Sequence, residues 1–411
     1  MKEKFSYREV FTRRNLLLFV RNLALTILII SPLLVFLGMM AFTQTTYPDE
    51  KAPFVQWSGY NPQKEAVVAW ETDDKESSTV WYGSEKDDLN LKETDGDRVR
   101  IHRVVLTNLD PDTKYYYKVG KDGDDPIYRS SIQSFRTAPN SNSKKFDFLV
   151  YSDSQQFYGI GWHKRICDAL SEHEDISFVA VAGDLCQNWD YKPDWNQYFE
   201  EGSVFLKNTP LVPCMGNHDG YYPEDDPKAE KHWYEQYFGA TNTSSDPHTF
   251  YYAFNWSNVQ FVVGEIADTG DENPEDPLNQ KHDRWLNQTL AKGQDKTFRI
   301  LMFHRQLFSA EEHNSDLIER IVPIVEKYNV SLVLYGHHHH YERFLYNDHT
   351  YICLGGGGGQ QFGAYYFRPG EHSECFSVGP SYTKISVDAD KMGIKTYSPE
   401  GDLIDESRIS S

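Results

Sequence analysis

The sequence is poor in cysteine, and its few cysteines are not spaced as metal ligands. Among 411 residues there are five: Cys167, Cys186, Cys214, Cys353 and Cys375. An odd number without a short C-x-x-C spacing argues against a thiolate zinc site and against a disulfide framework. We therefore expect buried free thiols, with a bridge between Cys353 and Cys375 as the open alternative.

Basic residues are also scarce relative to acidic ones. The chain has 61 Asp and Glu against 41 Lys and Arg, and its net charge is −20. Because a phosphate backbone needs a basic surface, we expect no wrapping of nucleic acid. The same acidic body repels small polyanions unless bound cations intervene. The sequence carries no signal for an oligomeric state.

Formal charge is absent from one stretch near the N-terminus. Residues 23–43 include a run of 20 uncharged residues, long enough to span a bilayer of about 30 Å. A basic segment, residues 1–22, precedes it and acidic residues follow it, a pattern that places the N-terminus in the cytoplasm. We predict a single-pass membrane protein with an extracytoplasmic C-terminal body. A signal segment cleaved near residues 38–41, leaving a secreted protein, is the alternative.

Residues 52–138 have the pattern of an all-β domain. Short β-branched or aromatic runs alternate with polar turns, at residues 66–70, 78–82, 101–106, 115–119 and 134–137. This spacing predicts a β-sandwich of about 90 residues. The segment contains no cluster of His, Cys or acidic residues, so we expect it to act as a spacer or support.

The pattern changes after a polar linker at residues 138–143. Near-continuous apolar runs, typical of strands that are covered on both faces, occupy residues 146–151, 176–182, 211–215, 259–263, 300–303 and 332–335. Helical patterns lie between several of them, at residues 162–173, 281–291 and 316–328. We predict an α/β sandwich over residues 145–398. In such folds ligands bind at the carboxyl ends of the strands.

Five of these runs end in residues that can bind a metal. They are followed by Asp153, by Gly183-Asp184, by Gly216-Asn217-His218-Asp219, by His304, and by Gly336-His337-His338-His339-His340. Any one Asp or His fits a helix cap or a buried strand end. Five such ends on one edge of a sheet instead predict a metal site. Its oxygen and nitrogen donors suit Zn²⁺, Mn²⁺ or Fe rather than Ca²⁺.

The order of these motifs resembles the calcineurin-like metallophosphoesterase superfamily. Within it the chain looks most like the purple acid phosphatases, because a β domain ending in Phe135-Arg136-Thr137-Ala138-Pro139 precedes the motifs and Tyr341-Glu342-Arg343 follows them. The resemblance runs from Phe54 to Ser398. It implies a fibronectin type III-like N-terminal sandwich followed by a four-layer αββα catalytic sandwich.

The resemblance also implies two metal ions that share Asp184. The first would be held by Asp153, Asp184 and His339, and the second by Asp184, Asn217, His304 and His337. The ions would be divalent or of mixed valence, drawn from Fe, Zn and Mn. Two such ions lower the pKa of a bridging water, and the resulting hydroxide attacks a phosphate ester in line.

By the same resemblance, His218 would assist the leaving group as the catalytic residue. Residues expected near the substrate are Asp219, Arg305, His338 and His340. The predicted function is an exported phosphoric ester hydrolase, most simply an acid phosphatase acting on monoesters. One alternative is a phosphodiesterase acting on nucleotides or lipid headgroups. Another is a catalytically inactive cell-surface binding protein.

Two glutamines depart from the family pattern. Purple acid phosphatases have a Tyr three residues after the bridging Asp, whereas this chain has Gln187. Without phenolate we expect no purple colour and no firm preference for Fe³⁺. Gln155 stands where the wider superfamily has the His of Asp-x-His, and is expected to bind the first metal through its amide oxygen or to hold a water. The glycine run at residues 355–359 lacks the Lys and Ser or Thr of a P-loop, and we predict a flexible loop near the site.

Overall fold

The structure is a computed structural model that describes residues 51–57, 59, 61–123, 131–140, 145–155, 161–220, 233–239, 250–264, 277–361 and 368–411. These residues belong to one unit, Tyr47–Ser411. The predicted basic and uncharged segments, residues 1–22 and 23–43, lie outside the described residues. Within the described ranges, no helix is both long enough and apolar enough to cross a membrane.

The described residues form strands and helices in an order that separates an N-terminal β domain from an α/β domain. The β domain contains β1 (Lys51–Gln56), β2 (Ala66–Gly83), β3 (Leu91–Leu106), β4 (Lys114–Gly120) and β5 (Gln133–Arg136). The remaining strands are β6 (Lys145–Tyr151), β7 (Ile176–Val181), β8 (Leu211–Pro213), β9 (Tyr252–Trp256), β10 (Val259–Val263), β11 (Phe298–Met302), β12 (Leu332–Tyr335), β13 (Tyr341–Tyr346), β14 (His349–Leu354), β15 (Ser373–Ser377), β16 (Tyr382–Asp388), β17 (Lys391–Tyr397) and β18 (Leu403–Ser410). The helices are α1 (Trp162–Ser171), α2 (Lys192–Leu206), α3 (Trp233–Phe238), α4 (Pro277–Lys292) and α5 (Ser315–Lys327).

Two sheets form the centre of the molecule. The first has the order β18-β17-β16-β6-β7-β8-β1-β2-β4-β5, with β3 paired to β2, and the second has the order β15-β13-β14-β12-β11-β10-β9. Strand β1 lies parallel to β8 through the pair Gln56 and Leu211. The β domain therefore extends the first sheet of the α/β domain. Strand β18 adds an edge to the same sheet and reaches Ser410, past the predicted boundary at residue 398.

Strand β6 shows why the strands are apolar on both faces. Phe148 and Val150 pack in the core between the two sheets, whereas Leu149 and Tyr151 pack with helices α1 and α2 on the outer face. Alternate residues of a strand point to opposite faces, so both faces need apolar side chains. Helices α4 and α5 cover the outer face of the second sheet in the same way. The layers are thus helix, sheet, sheet and helix, and the predicted fold class is confirmed.

One prediction for the β domain was wrong in detail. The runs at residues 66–70 and 78–82 are not two strands but the two ends of β2, which is 18 residues long. The polar segment between them remains extended and largely exposed because it pairs with β3 outside the core, with shifts in register near Glu76. An exposed strand segment needs no apolar side chains, so hydrophobic pattern alone did not reveal it.

All five cysteines are free, and Cys353 and Cys375 do not form a bridge. Four are buried, and Cys375 is partly buried. The expectation of buried free thiols is confirmed for these four.

A largely buried carboxylate links the two sheets. Arg343 of β13 donates from Nε and Nη2 to the two oxygens of Asp405 in β18, at 2.6 and 3.1 Å. The hydroxyl of Tyr341 donates to Oδ2 of the same carboxylate at 2.7 Å. Asp405 therefore accepts three hydrogen bonds from the opposite sheet.

We predict that Asp405→Ala lowers the free energy of unfolding by about 2 kcal/mol, because it leaves a largely buried guanidinium and a hydroxyl without their acceptor. Urea unfolding measures the change. Glu406→Ala, in the same strand, is the control, since Glu406 pairs with Lys395 in an exposed bridge and its loss should change stability little. Equal losses for the two variants would contradict the role assigned to Asp405.

Candidate metal centre

The predicted ligands follow strands whose carboxyl ends meet at one edge of the sandwich. Strands β6, β7 and β8 are parallel neighbours in the first sheet, and β11 and β12 are parallel neighbours in the second. The structure brings the six predicted ligands together: Asp153, Asp184, Asn217, His304, His337 and His339. Ligating atoms of Asp153, Asp184 and His304 lie within 4.8 Å of one another, and all three residues are buried.

Three of these residues hold a backbone conformation that non-glycine residues rarely adopt. Asp153, Asp184 and His337 have φ angles of 60°, 54° and 72°. Each follows the last residue of a strand by two or three residues, so the left-handed turn lies just past the strand end and aims the side chain across the sheet edge. Such conformations cost about 1 kcal/mol or more each and are concentrated at functional sites.

Glycines beside the ligands leave room for this convergence. A Cβ at Gly216 would overlap the backbone and carboxylate of Asp184, and one at Gly336 would overlap Ser152 and the carboxylate of Asp153. The Gly-Asn-His and Gly-His patterns of the sequence therefore have a steric cause. The glycines let neighbouring strand ends approach each other.

Asp184 lies at the middle of the ligands. Its Oδ2 is 3.2 Å from Nε2 of His304 and accepts a bond of 2.9 Å from the Gln155 amide, while Oδ1 accepts the His218 backbone N–H at 2.8 Å. Burial alone raises the pKa of Asp184, but His304 and His218 hold it well below its usual range. Asp184 is therefore a carboxylate anion, and each of its oxygens lies against a group of the ligand cluster.

His304 is aimed by a backbone carbonyl. Its Nδ1–H donates to the carbonyl oxygen of Ala182 at 2.8 Å, which leaves Nε2 facing Asp184 and, at 3.1 Å, Oδ1 of Asn217. Burial lowers the pKa of His304, but the carboxylate of Asp184 outweighs burial and raises the pKa to about 10. The proton on Nε2 thus supplies positive charge at the point where a cation would compensate Asp184.

His337 completes the predicted second ligand set. Its Nδ1 is 3.0 Å from Oδ1 of Asn217, and its Nε2 accepts a bond of 2.6 Å from Nη1 of Arg305. Burial, together with His304 and Arg305, lowers the pKa of His337 to about 2, so the ring is neutral. Neutral imidazole is the form that binds a metal.

The predicted first set has Asp153 and His339 as its outer members. The carboxylate of Asp153 accepts the His337 backbone N–H at 3.0 Å from both oxygens. Burial raises the pKa of Asp153, and Asp184 adds to the rise, while His304 and His339 oppose it. His339 donates from Nδ1 to the carbonyl oxygen of Gln360 at 2.6 Å, so its Nε2 faces Oδ1 of Asp153 at 3.5 Å.

Gln155 lies between the members of the first set. Its buried amide nitrogen donates to Asp184 at 2.9 Å and is 3.1 Å from Nε2 of His339. Its Oε1 is buried with no hydrogen-bond partner among the described residues. An unsatisfied amide oxygen beside two ligating atoms is what a cation would satisfy, because a buried polar atom without a partner costs about 1 to 3 kcal/mol.

The donor atoms fit metal ions in type and in spacing. Two donors bound to one ion at about 2.1 Å lie roughly 3.0 to 3.5 Å apart. In the predicted second set, Oδ1 of Asn217 is 3.0 Å from His337 and 3.1 Å from His304, and His304 is 3.2 Å from Asp184. In the first set, Asp153 and His339 are separated by 3.5 Å. Among the residues described, carboxylate, amide and imidazole donors make up this cluster, which suits Zn²⁺, Mn²⁺ or Fe.

His218 lies at the rim of the cluster and is half-buried. Its Nδ1–H donates to the carbonyl oxygen of Gln187 at 2.7 Å, and the Gln187 side-chain amide is 3.4 Å from the same nitrogen. The structure therefore places Gln187, the substitute for the family tyrosine, against His218. With Nδ1 occupied, Nε2 is the nitrogen left to act on a ligand.

Asp219 is buried inside the loops rather than presented to a substrate. Its two oxygens accept the backbone N–H groups of Leu185, Cys186 and Gly216 at 2.7, 3.2 and 2.8 Å. Burial and the nearby Asp184 raise the pKa of Asp219 to about 7. The substrate-binding role predicted for Asp219 does not fit this placement. The residue instead ties the loop after β7 to the loop after β8.

His338 and His340 also face inward, unlike the alternating ligands. Nδ1 of His338 is 2.6 Å from the hydroxyl of Ser309, and Nε2 of His340 is 3.1 Å from Glu342. His340 and Glu342 are fully buried. The four-histidine run thus divides by position into two residues at the metal cluster and two that support the neighbouring loop.

The glycine run at residues 355–359 lies near the site as predicted, but it is not a loose loop. All five glycines are buried, and the N–H groups of Gly357 and Gly359 donate to the carbonyls of Ser152 and Asp153 at 2.8 and 2.6 Å. These bonds hold the loop that carries Asp153. Sequence reasoning missed this role, and it missed the carbonyls of Ala182 and Gln360, because any residue type supplies the same backbone groups.

We predict that Gly216→Ala reduces metal binding by about tenfold or more, because the added methyl group displaces Asp184. Equilibrium dialysis followed by elemental analysis measures the bound metal. Gly393→Ala in β17 is the control, since a Cβ there meets its nearest neighbour at 3.9 Å. Metal binding that is unchanged in Gly216→Ala would contradict the steric role of this glycine.

Comparison with known proteins agrees with the fold. Residues 46–137 match the family model of the purple acid phosphatase N-terminal domain, and residues 146–341 match that of the calcineurin-like phosphoesterases. An uncharacterized protein of Mycobacterium tuberculosis is 25% identical over 334 residues, which cover 69% of this chain and 60% of that protein. Purple acid phosphatase 21 of Arabidopsis thaliana is 27% identical over 280 residues, which cover 64% of this chain and 59% of that protein. The chain thus spans about 60% of the length of these relatives.

A solved structure shares the architecture. The purple acid phosphatase from yellow lupin (Lupinus luteus) seeds superimposes with a TM-score of 0.70 at 19% identity, covering 87% of this chain and 74% of that chain. At this identity the likeness shows the fold. The two matched ranges contain the β domain and the positions of all six predicted ligands. The chain belongs to the purple acid phosphatase-like metallophosphoesterases.

Proposed function

We propose that the protein is an exported, two-metal hydrolase of phosphoric esters, with phosphomonoesters as its main substrates. The observation that carries the proposal is the buried carboxylate of Asp184, which has ligating atoms of both predicted sets around it. The first ion would be held by Asp153, Asp184 and His339, and the second by Asp184, Asn217, His304 and His337. Two such ions supply a low-pKa water and neutralise phosphoryl charge.

The chain's own groups prepare the site for this chemistry. Carbonyl oxygens of Ala182 and Gln360 accept the Nδ1–H of His304 and His339 and so keep each Nε2 directed inward, where a metal would displace the proton that His304 carries. Such outer partners orient metal-binding imidazoles and raise their basicity. The arrangement resists rotation of both rings when a substrate enters.

His218 would serve the leaving group. The carbonyl of Gln187 holds its Nδ1–H, so Nε2 can donate a proton to the ester oxygen that departs. The ring is half-buried at the rim, where a phosphate ester would enter. Gln187 is thus a residue that orients the proposed acid, in a position where relatives have a metal-binding tyrosine. With no phenolate from this position, we propose a colourless centre containing Zn, Mn or Fe.

Export is the part of the proposal that rests on the sequence outside the described residues. Basic residues precede the uncharged run at residues 23–43, and acidic residues follow it, which favours an extracytoplasmic body anchored by one span. Cleavage of that segment would leave a secreted enzyme. An inactive binding protein is the less favoured function, because the described structure keeps every member of the ligand set.

Hydrolysis assays test the function directly. The purified protein, loaded in turn with Mn²⁺, Zn²⁺ or Fe, is expected to hydrolyse an aryl phosphomonoester faster than the matching aryl phosphodiester. We expect Asp184→Asn to lower turnover by more than about a hundredfold, because loss of a shared ligand exceeds the loss of an outer partner. Asp388→Asn, at an exposed position in β16, is the control.

The assay separates the competing functions. Faster turnover of the diester would favour the phosphodiesterase alternative. Absence of turnover with every metal, together with no effect of Asp184→Asn on metal content, would contradict the hydrolase function itself.

Gln155 gives a prediction about the first metal. An amide oxygen is a weaker donor to these ions than imidazole, so we expect Gln155→His to retain the first metal about tenfold more tightly. Retained metal after dialysis against a graded chelator measures the difference. Gln63→His, in a turn of the β domain, is the control for an added imidazole. Equal retention in wild type and Gln155→His would count against Gln155 as a member of the first site.

A further inference from the structure

Arg305 makes a contact that depends on the state of a predicted metal ligand. It follows His304 directly, and its Nη1 is 2.6 Å from Nε2 of His337. A guanidinium has only donors, so Nε2 must accept this bond. The other ring nitrogen, Nδ1, then carries the single proton of the neutral ring and donates it to Oδ1 of Asn217 at 3.0 Å.

This arrangement of protons is incompatible with metal binding at His337. Nδ1 is the nitrogen that faces Asn217, whose Oδ1 is also 3.1 Å from Nε2 of His304, so Nδ1 is the atom presented to the second ion. When the Nδ1 lone pair binds a cation, the proton of the neutral ring lies on Nε2. Nε2–H and the guanidinium of Arg305 are then two donors facing each other. Arg305 must leave His337.

The released guanidinium has the properties of a phosphoryl-binding group. It is planar, permanently charged, and able to donate two parallel hydrogen bonds to phosphate oxygens. Arg305 is half-buried and contacts a predicted ligand, which puts its guanidinium at the edge of the sandwich where a phosphate ester would bind. Its positive charge would also attract an anionic substrate to a protein whose net charge of −20 otherwise repels anions.

We propose that Arg305 is a phosphoryl-binding, specificity-determining residue that is held on His337 without metal and released to the substrate when His337 binds the second ion. The inference rests on the proposed function and adds a regulation to it: occupation of the second site prepares the anion site. Binding in the two sites is therefore coupled, and by linkage phosphate also strengthens metal binding.

Binding measurements on Arg305→Gln test the proposal without any assay of turnover. Removing the guanidinium removes the competitor for His337 and a positive charge beside the second ion. We therefore expect Zn²⁺ to bind the variant about tenfold more tightly, by competition with a chromophoric chelator. If Arg305 merely supported the position of His337, its replacement would weaken Zn²⁺ binding instead. Arg136→Gln, at an exposed pair in the β domain, is the control.

Inorganic phosphate provides the second measurement. For the Zn²⁺-loaded proteins, calorimetric titration should show phosphate binding about tenfold or more weaker in Arg305→Gln than in wild type, the size of a hydrogen bond to a charged group. Arg305→Lys keeps the charge without the two parallel donors, so its phosphate affinity should lie between those of wild type and Arg305→Gln.

Each outcome decides the matter. Weaker or unchanged Zn²⁺ binding in Arg305→Gln, or unchanged phosphate affinity in the loaded variant, would overturn the role of Arg305 and leave the hydrolase function intact. Failure of wild type to bind Zn²⁺, or of loaded wild type to bind phosphate, would overturn the proposed function and this inference together. Tighter Zn²⁺ with weaker phosphate supports the proposal.

Discussion

The structure depends on the buried carboxylate of Asp184, whose partners among the described residues include no Lys or Arg side chain. Asp184 is 1% exposed, and its carboxylate is surrounded by His304, the amide of Gln155 and the backbone N–H of His218. Burying a charge is costly unless it is paired and hydrogen-bonded. The loops after β6, β7, β8 and β11 are shaped around this requirement. Bound cations satisfy it more fully than a proton on His304 and an amide can.

The loops bring ligating groups to Asp184 through left-handed backbone conformations rather than through long side chains. Left-handed turns at Asp153, Asp184 and His337 aim short side chains across the sheet edge, and Gly216 and Gly336 let the turns touch. Strain of this kind persists only where surrounding structure holds it. Here Asp219 and the glycine run at residues 355–359 provide that support through backbone hydrogen bonds. Residues outside the predicted ligand set thus hold the backbone that positions the predicted ligands.

The sequence predicted the elements whose signal is chemical and local. Apolar runs predicted strands such as β6 and β10, because both faces of those strands are covered, and the motif order predicted which side chains gather. It could not predict contacts that depend on backbone groups or rotation. Residue types alone do not indicate such contacts. Examples are the hydrogen bond to the carbonyl of Gln360, the inward orientation of His338 and His340, and the bond from Arg305 to His337. Strand β2 was predicted in two pieces because its exposed middle is polar.

Two neutral amides distinguish this site within its family. Gln155 bonds to Asp184 of the first ligand set, and Gln187 contacts the proposed acid His218 instead of a metal. A neutral amide does not supply the charge of a phenolate, so we propose that the first site is the weaker half of the pair. The second set has the closer contacts among its donor atoms and one residue, Arg305, that responds to its occupation.

The most direct test of the account is anomalous scattering from crystals grown with Mn²⁺ or Zn²⁺. We expect two peaks on either side of the Asp184 carboxylate, about 3.5 to 4 Å apart. The first should lie near Asp153 and His339, and the second near Asn217, His304 and His337. A single peak that Asp184 does not touch, or no peak at this edge of the sandwich, would contradict it.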